Sequence, residues 1–231
     1  MEARSRIPTG SRSLDSQLGG GMSTGEVTLV YGEPGSGKTT VALSLVAQLL
    51  RLDPAARAVL LDSDAKFSSA RLTQMTGSEE SLRRLLYTRP TTFEEQADAL
   101  DRLPDQLQPR DLVIIDSVTG LYRVETGDSQ KTFAENKELN RQLGLIKEVA
   151  LTRRVVVMVT GQVRSVLDSP VPVVEPVAQR LLRYWSDAVI KLESTATPGV
   201  KQATIEKPQW LRGAVRFTIT KVGVGDEERW R

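Results

Sequence analysis

The sequence of 231 residues contains neither cysteine nor histidine. Without these residue types the chain has no Ser-His-Asp triad, no Cys-His pair and none of the usual zinc ligand sets. Disulfide bonds are excluded too, so cysteine usage gives no information on the cellular compartment. Any hydrolysis by this chain must therefore depend on carboxylates, a metal ion and positively charged side chains.

The sequence also has little net charge and no long apolar run. A formal net charge of +2 is too small to indicate a nucleic-acid partner by itself. No apolar run is long enough to cross a bilayer, and the charged amino-terminal region is not typical of a secretory signal, so a cytoplasmic location is expected. The length and the alternation of strand and helix patterns predict a single α/β domain over residues 1–231.

The most informative segment is a glycine-rich loop between a strand pattern and a helix pattern. Apolar and β-branched residues fill positions 27–31 before it, and an apolar helical pattern follows over positions 40–47. The loop matches the phosphate-loop pattern G-x-x-x-x-G-K-[ST] without departure, through Gly32, Glu33, Pro34, Gly35, Ser36, Gly37, Lys38 and Thr39.

Each residue type in this loop has a chemical role. The glycines let backbone N–H groups surround phosphates, and the following helix adds the positive end of its dipole. Lys38 is predicted to reach the β- and γ-phosphates, and the Thr39 hydroxyl to ligate Mg²⁺. Together with Thr40, the loop is predicted to bind a nucleoside triphosphate. The alternative is a glycine-rich turn that binds nothing, which the flanking strand and helix patterns disfavour.

Four consecutive apolar residues closed by an aspartate predict a buried strand over residues 112–116. Asp116 then lies at the carboxyl end of a parallel strand, where open α/β sheets bind ligands. Its predicted role is to hold the Mg²⁺ shell through water, and the alternative is a helix N-cap. Other apolar patterns predict strands over 58–62, 155–159, 188–192, 202–206 and 215–220, and helices over 69–75, 79–86, 93–103 and 132–151.

Several segments on either side of the loop resemble the RecA-type ATPase core. They cover residues 7–15, 18–21 and 25–28 before it, and residues 116–123, 160–163, 176–179 and 216–220 after it. The later segments are most similar to the RadB family, the short archaeal paralogues of the RadA recombinase. The similarity extends from about residue 7 to residue 223, which is nearly the whole chain.

The resemblance implies a RecA-like P-loop ATPase core, with a mostly parallel central sheet flanked by helices and antiparallel strands at the carboxyl-terminal end. It implies ATP and Mg²⁺ as cofactors and DNA, single-stranded DNA in particular, as a ligand. It also implies a role in DNA repair and homologous recombination that assists RadA. A RecA-core signalling ATPase similar to KaiC, acting on a protein partner, is the alternative function.

Two departures from the family pattern concern ATP hydrolysis. RecA-like enzymes place a glutamate after the strand at 58–62 to position the attacking water, and Asp64 occupies that place here. One methylene fewer withdraws the carboxylate by about 1.5 Å, and such a displacement can cost about 100-fold in rate. Slow hydrolysis is therefore expected, unless Asp64 is only a turn residue. Relatives also commonly carry asparagine at the place of Gly161, before Gln162, which the resemblance assigns to sensing the γ-phosphate.

Two further basic residues are assigned to the nucleotide by the resemblance. Arg71 matches the arginine that stacks on the adenine in this branch, and a planar guanidinium suits that contact. Lys207 lies in the segment that caps the ATP of a neighbouring protomer, so it is predicted to approach the γ-phosphate in trans, which implies self-association. A solvated helix arginine and a solvated hairpin lysine are the alternatives.

The predicted DNA contacts lie downstream of the strand at 155–159. By resemblance, two DNA-facing loops correspond to the stretch from Arg164 onward and to the stretch that ends near Val177. Arg180, Arg183 and Tyr184 are spaced i, i+3 and i+4, which places them on one helical face suited to phosphate contact and base stacking. A solvated helix face is the alternative interpretation.

Overall fold

The computed structural model describes residues 5–122, 129–165 and 174–227. The strands in these ranges are β1 (Arg6–Ile7), β2 (Met22–Ser23), β3 (Val27–Tyr31), β4 (Ala58–Asp62), β5 (Leu85–Thr88), β6 (Leu112–Asp116), β7 (Val156–Gly161), β8 (Val163–Ser165), β9 (Val174–Pro176), β10 (Ala188–Ser194), β11 (Val200–Lys207), β12 (Gly213–Thr220) and β13 (Gly223–Asp226). The α-helices are α1 (Arg12–Gln17), α2 (Lys38–Leu52), α3 (Ser69–Thr76), α4 (Phe93–Asp101), α5 (Leu103–Gln106), α6 (Ser129–Arg153) and α7 (Gln179–Trp185). No helix in the three ranges is long and apolar enough to span a membrane.

Nine strands of the described part form one sheet in the order β13-β12-β11-β10-β3-β7-β6-β4-β5. Neighbouring strands from β10 to β5 pair in parallel, and β11, β12 and β13 continue the sheet in antiparallel order. Two short antiparallel pairs, β1 with β2 and β8 with β9, lie outside this sheet. The predicted α/β class, with a mostly parallel centre and antiparallel carboxyl-terminal strands, is confirmed.

The central strands are apolar on both faces because helices cover both faces of the sheet. In β3, Val30 packs in the cluster formed with α2 and α3, whereas Leu29 and Tyr31 pack in the cluster formed with α4, α6 and α7. All five residues of β3, of β4 and of β6 are buried. Because these strands run parallel, their carboxyl ends meet at one edge of the sheet, and the residues assigned to the nucleotide follow them there.

The region 79–86 does not form the helix that its sequence pattern predicts. The chain makes a 3₁₀ turn over Glu79–Arg84 and then enters β5, where Leu86 pairs with Val59 of β4. A short apolar pattern does not distinguish a strand from a helix, and here the pairing with β4 decides. The helix predicted over 93–103 is also divided, since Pro104 in the first turn of α5 begins a separate helix.

Candidate nucleotide-binding site

The glycine-rich loop joins the carboxyl end of β3 to the first residue of α2. Gly37, the N-cap of α2, has a φ of 103°, and a Cβ there would lie 2.5 Å from Ile219 Cδ1. Gly32 has a φ of 155°, and a Cβ there would lie 2.2 Å from the carbonyl oxygen of Leu192. A side chain fits at neither position, so the tight course of the loop depends on both glycines.

The Lys38 side chain folds back over the loop. Its Nζ donates hydrogen bonds to the carbonyl oxygens of Gly32, at 2.7 Å, and of Glu33, at 3.0 Å. Burial lowers the pKa of Lys38, and the nearby charge of Lys66 lowers it further. A phosphate in the loop would oppose both effects, because a negative charge stabilises the ammonium form.

The loop also contains a buried hydroxyl with no partner. Ser36 Oγ is buried and makes no hydrogen bond within the described part of the chain. Around it, Glu33, Pro34 and Gly35 are exposed, and Thr40 is half-buried in the first turn of α2. An unsatisfied buried hydroxyl at the start of a helix is readily satisfied by a bound anion, so the loop fits a phosphate group.

Thr39 and Asp116 meet at the candidate metal position. Thr39 Oγ1 donates a hydrogen bond of 2.6 Å to Asp116 Oδ2, although the residues are 77 positions apart in the sequence. Thr160 Oγ1 donates to Asp116 Oδ1, and Asp116 is 3% exposed. Hydroxyl and carboxylate oxygens are ligands that Mg²⁺ accepts. No group of three or more acidic residues that could hold a metal occurs among the described residues, so Mg²⁺ here would complete its shell with phosphate and water.

The structure brings Asp64 and Gln162 together at the same edge. Asp64 Oδ1 accepts hydrogen bonds from Gln162 Nε2, at 3.1 Å, and from Ser117 Oγ, at 3.0 Å. The Asp64 N–H donates to the carbonyl oxygen of Asp116 at 3.3 Å, which ties the turn after β4 to the end of β6. The Asp64 side chain is only 6% exposed. Both residues therefore lie beside the candidate metal position, as their predicted roles require.

Packing around Gly161 leaves little room for a side chain at this position. A Cβ on Gly161 would lie 3.3 Å from Leu182 Cδ1 and 3.3 Å from Leu29 Cδ1. The two leucines are fully buried and have little room to move. A side chain at this position therefore requires a shift in the core beneath Gln162.

Two residues of this edge were missed by the sequence reasoning. Lys66 Nζ lies 2.6 Å from Asp64 Oδ2. Partial burial lowers the pKa of Lys66, but the hydrogen bond and charge of Asp64, with the charges of Asp116 and Asp62, outweigh it and raise the pKa overall. Its position two residues after Asp64 was a signal that could have indicated this contact.

Lys201 is the second missed residue. Its Nζ donates to the carbonyl oxygen of Gly35 at 2.8 Å and to Ser194 Oγ at 2.9 Å. The contact joins β11 to the exposed tip of the phosphate loop. A lysine on a strand gives no local sequence signal for such a contact.

Arg71 contacts the carboxyl end of β12, a strand that reaches the phosphate loop through Ile219. Its guanidinium donates to the carbonyl oxygen of Lys221 at 2.6 Å and to that of Thr220. The preceding residue on β12, Ile219, is the one that packs against Gly37. These carbonyl contacts fix the plane of the guanidinium beside the loop, which is compatible with the predicted stacking on a base.

The comparison with known families agrees with this geometry. The family model described as Rad51 matches residues 3–227 of the chain. The chain belongs to the Rad51 family.

Among Rad51-family proteins, RadB proteins match over most of the chain. The DNA repair and recombination protein RadB of Methanosphaera stadtmanae is 34% identical over 225 residues, which cover 94% of each chain. The protein of that name from Methanothermobacter thermautotrophicus is 33% identical, with 97% of each chain covered. The one from Thermococcus kodakarensis is 33% identical, with 96% of this chain and 100% of the relative covered. The predicted resemblance to the RadB family is confirmed.

Lys207 is predicted to contact the ATP of a neighbouring protomer, but in the structure of this single Rad51-family chain its ammonium contacts carbonyl oxygens of its own chain. Nζ donates to the carbonyl oxygen of Arg183, at 3.2 Å, and to that of Ser186, at the end of α7. A cation is favourable at the carboxyl end of a helix. Lys207 also borders a cavity of about 1060 Å³, at which Trp210 is 84% exposed. The role in trans stays a prediction, and it requires the Lys207 ammonium to leave the carbonyl oxygens at the end of α7.

The helical face predicted for DNA is divided in the structure. Arg183 Nη2 forms an ion pair with Glu206 Oε2, and Glu206 Oε1 accepts a hydrogen bond of 2.8 Å from the Tyr31 hydroxyl. Burial, and then the hydrogen bond to Glu206, raises the pKa of Tyr31 far above its usual range. The Arg183 charge is therefore directed to a neighbouring strand.

The other predicted DNA contacts are accessible. Arg164 on β8 and Arg180 on α7 are exposed, and Tyr184 is 74% exposed. The Tyr184 ring packs edge-on against Trp185, with 5.0 Å between the ring centroids. Most of the loop that begins near Arg164, over 166–173, lies outside the described residues.

Proposed function

We propose that this protein is a RadB-type DNA repair and recombination protein that binds ATP with Mg²⁺, binds DNA and assists the RadA recombinase. The observation that carries the nucleotide part is the hydrogen bond from Thr39 to Asp116, 2.6 Å long. It connects the end of the phosphate loop to the carboxylate at the end of β6, which is the arrangement used to hold a nucleotide-bound Mg²⁺. The names of the RadB relatives support the recombination part.

The residues around the loop have separate roles in this proposal. Loop N–H groups and Lys38 would bind the phosphates, and Thr39 with Asp116 would hold Mg²⁺, which would supply positive charge at the terminal phosphates. Asp64 and Gln162 are positioned to contact the attacking water and the γ-phosphate. Asp64 is short, and its Oδ1 already accepts hydrogen bonds from Ser117 and Gln162, so we expect slow hydrolysis.

DNA binding is proposed for the exposed residues Arg164, Arg180 and Tyr184. Exposed arginines contact backbone phosphates without selecting a sequence, and an exposed tyrosine can stack on an unpaired base. Single-stranded DNA is therefore the proposed form.

We further propose that residues 1–231 act as one RecA-like domain. The matches to Rad51 and RadB give no support to the signalling alternative.

The proposal is tested on the full chain by three measurements. Calorimetry with Mg²⁺ is expected to show ATP binding. Fluorescence anisotropy with labelled single-stranded DNA is expected to show affinity that falls as salt concentration rises. Affinity capture is expected to retain purified RadA, with unrelated archaeal protein as the control. Absence of ATP binding contradicts the nucleotide part, and absence of both DNA and RadA binding contradicts the recombination part.

A further inference from the structure

The turn after β4 fixes the backbone position of Lys66. Asp62 Oδ1 accepts a hydrogen bond from the Lys66 N–H at 3.0 Å, and Asp62 Oδ2 accepts one from the Phe67 N–H at 2.8 Å. Asp62 is 2% exposed, and Ala65 in the turn has a left-handed φ of 56°. A turn closed by a buried carboxylate has little freedom, so the Lys66 side chain leaves the backbone at a defined place.

The Lys66 ammonium lies in the electrostatic neighbourhood of the candidate nucleotide site. It is 2.6 Å from Asp64 Oδ2, and it also interacts with the charges of Asp116 and Asp62. Its own charge acts on Lys38 of the phosphate loop. The ammonium groups of Lys38 and Lys66 are thus electrostatically coupled, whereas the third ammonium at the loop, that of Lys201, binds the carbonyl of Gly35 at its exposed tip.

The ammonium group of Lys38 is more tightly constrained than that of Lys66. Lys38 is 8% exposed and bound to two loop carbonyls, whereas the Lys66 side chain is 51% exposed and its hydrogen bond is to one carboxylate. If Lys66 turns toward another anion, Asp64 keeps its hydrogen bonds from Ser117 and Gln162. The movement therefore leaves no buried carboxylate without a donor.

We propose that Lys66 is a second phosphate-binding cation, which contacts the terminal phosphate of a nucleoside triphosphate bound in the same chain. This inference rests on the proposed nucleotide binding. Lys66 approaches from beside Asp64, the residue predicted to position the attacking water, and hydrolysis requires that water to be next to the terminal phosphate. A diphosphate lacks this phosphate, so Lys66 gives the site a preference for ATP over ADP.

The test compares affinities of the full chain for an ATP analogue with a β,γ-imido bridge and for ADP, each with Mg²⁺, by calorimetry. Lys66→Met is expected to weaken binding of the analogue by about tenfold, as for loss of one charge-assisted contact, and binding of ADP by less than about twofold. Lys66→Arg keeps the charge and is expected to keep most of the preference. If Lys66→Met does not fold, Lys66→Gln replaces it.

Lys147→Met is the matched control. Lys147 Nζ also lies 2.6 Å from an aspartate, Asp187, whose carboxylate accepts a hydrogen bond from the Val27 N–H at the end of β3 opposite the phosphate loop. This variant should keep both affinities. Since the control also loses a lysine–aspartate pair, it distinguishes the effect of removing a lysine beside the nucleotide site from the effect of removing any paired lysine.

Each of the following outcomes overturns the inference or the proposal beneath it. Equal losses for both nucleotides, or no loss for either, show that Lys66 does not contact the terminal phosphate. An unchanged affinity ratio with faster hydrolysis shows that Lys66 only neutralises Asp64, and it also overturns the inference. Absence of binding by the wild-type chain contradicts the proposed nucleotide function instead, so the two failures are distinguishable.

Discussion

Gln162 donates a hydrogen bond of 3.1 Å to Asp64 Oδ1, although the two residues are 98 positions apart in the sequence. Ser117 donates to the same oxygen, and Lys66 binds the other one. Even when Lys66 binds a terminal phosphate instead, Asp64 Oδ1 keeps two donors and has little capacity left to bind and orient a water molecule. The surroundings of Asp64, and not only its length, therefore limit hydrolysis in this proposal.

Lengthening this carboxylate is the first prediction. Asp64→Glu should raise the steady-state rate of phosphate release from ATP, because the extra methylene extends the carboxylate by about 1.5 Å toward the water. Asp64→Asn should lower the remaining rate, since an amide does not accept the proton. A rate unchanged by both substitutions would show that Asp64 is only a turn residue.

The second prediction concerns the glycine beside Asp64. A Cβ on Gly120 would lie 2.3 Å from Asp64 Oδ1, so Gly120→Ala must displace that carboxylate. Phosphate release is expected to fall severalfold while ATP affinity stays within about twofold, because the phosphate loop is untouched. Gly225→Ala is the control, since a Cβ there makes only an ordinary contact of 3.5 Å with Thr218. Equal rates in wild type and Gly120→Ala would exclude a role of the Asp64 position in hydrolysis.

The phosphate loop and its flanking elements could be predicted from sequence because their requirements are local. Gly32 and Gly37 occupy positions without space for a side chain. The apolar run over 112–116 ends in Asp116, the carboxylate at the candidate metal position. Such requirements depend on neighbouring residues and are visible as spacing in the sequence.

Contacts between distant elements could not be predicted in this way. Lys201 binds the carbonyl of Gly35 from 166 positions away, and no local pattern on β11 indicates it. The spacing correctly predicts that Arg183 lies on one helical face with Arg180, but it does not predict that Arg183 forms an ion pair with Glu206 on β11. The sequence pattern of β5 predicts a helix, because the pairing with β4 that makes it a strand is a property of the whole sheet.

The third prediction removes the ammonium of the phosphate loop. Lys38→Ala should weaken ATP binding by about tenfold or more, corresponding to ~1.5–3 kcal/mol for charge-assisted hydrogen bonds. Calorimetric titration in the presence of Mg²⁺ measures the change, and Lys147→Ala serves as a lysine control distant from the loop. Equal affinities of Lys38→Ala and wild type would refute phosphate binding by the loop.

The fourth prediction separates the two arginines of α7. Arg180→Gln combined with Tyr184→Ala should weaken single-stranded DNA binding and reduce its log–log salt slope by about one unit, since one exposed charge and one stacking ring are lost. Arg183→Gln should leave that slope unchanged and lower thermal stability, because Glu206 loses its ion pair and keeps only the hydrogen bond from Tyr31 among its contacts described above. Anisotropy titrations over several salt concentrations measure the slopes. If Arg183→Gln weakens DNA binding more than the double variant does, Arg183 belongs to the DNA-binding face together with Arg180 and Tyr184.

The fifth prediction concerns ATP-dependent assembly through Lys207. Its ammonium binds the carbonyl oxygens of Arg183 and Ser186 in an isolated chain, so an action on a neighbouring γ-phosphate requires exchange of these contacts for a stronger anion. If that exchange occurs, ATP should increase self-association or association with RadA, and ADP should do so less. Light scattering with each nucleotide measures the assembled mass.

Lys207→Ala should abolish the ATP-dependent increase in mass and leave the ATP affinity of the monomer intact. Because the substitution also removes a cation from the end of α7, the thermal stability of each variant is measured in parallel. Lys191→Ala is the control, since Lys191 on β10 is paired with Glu193 at 2.7 Å and has no predicted role between protomers. An assembled mass that does not depend on nucleotide in the wild type would contradict the role in trans and leave the Lys207 ammonium as a cap of α7 within its own chain.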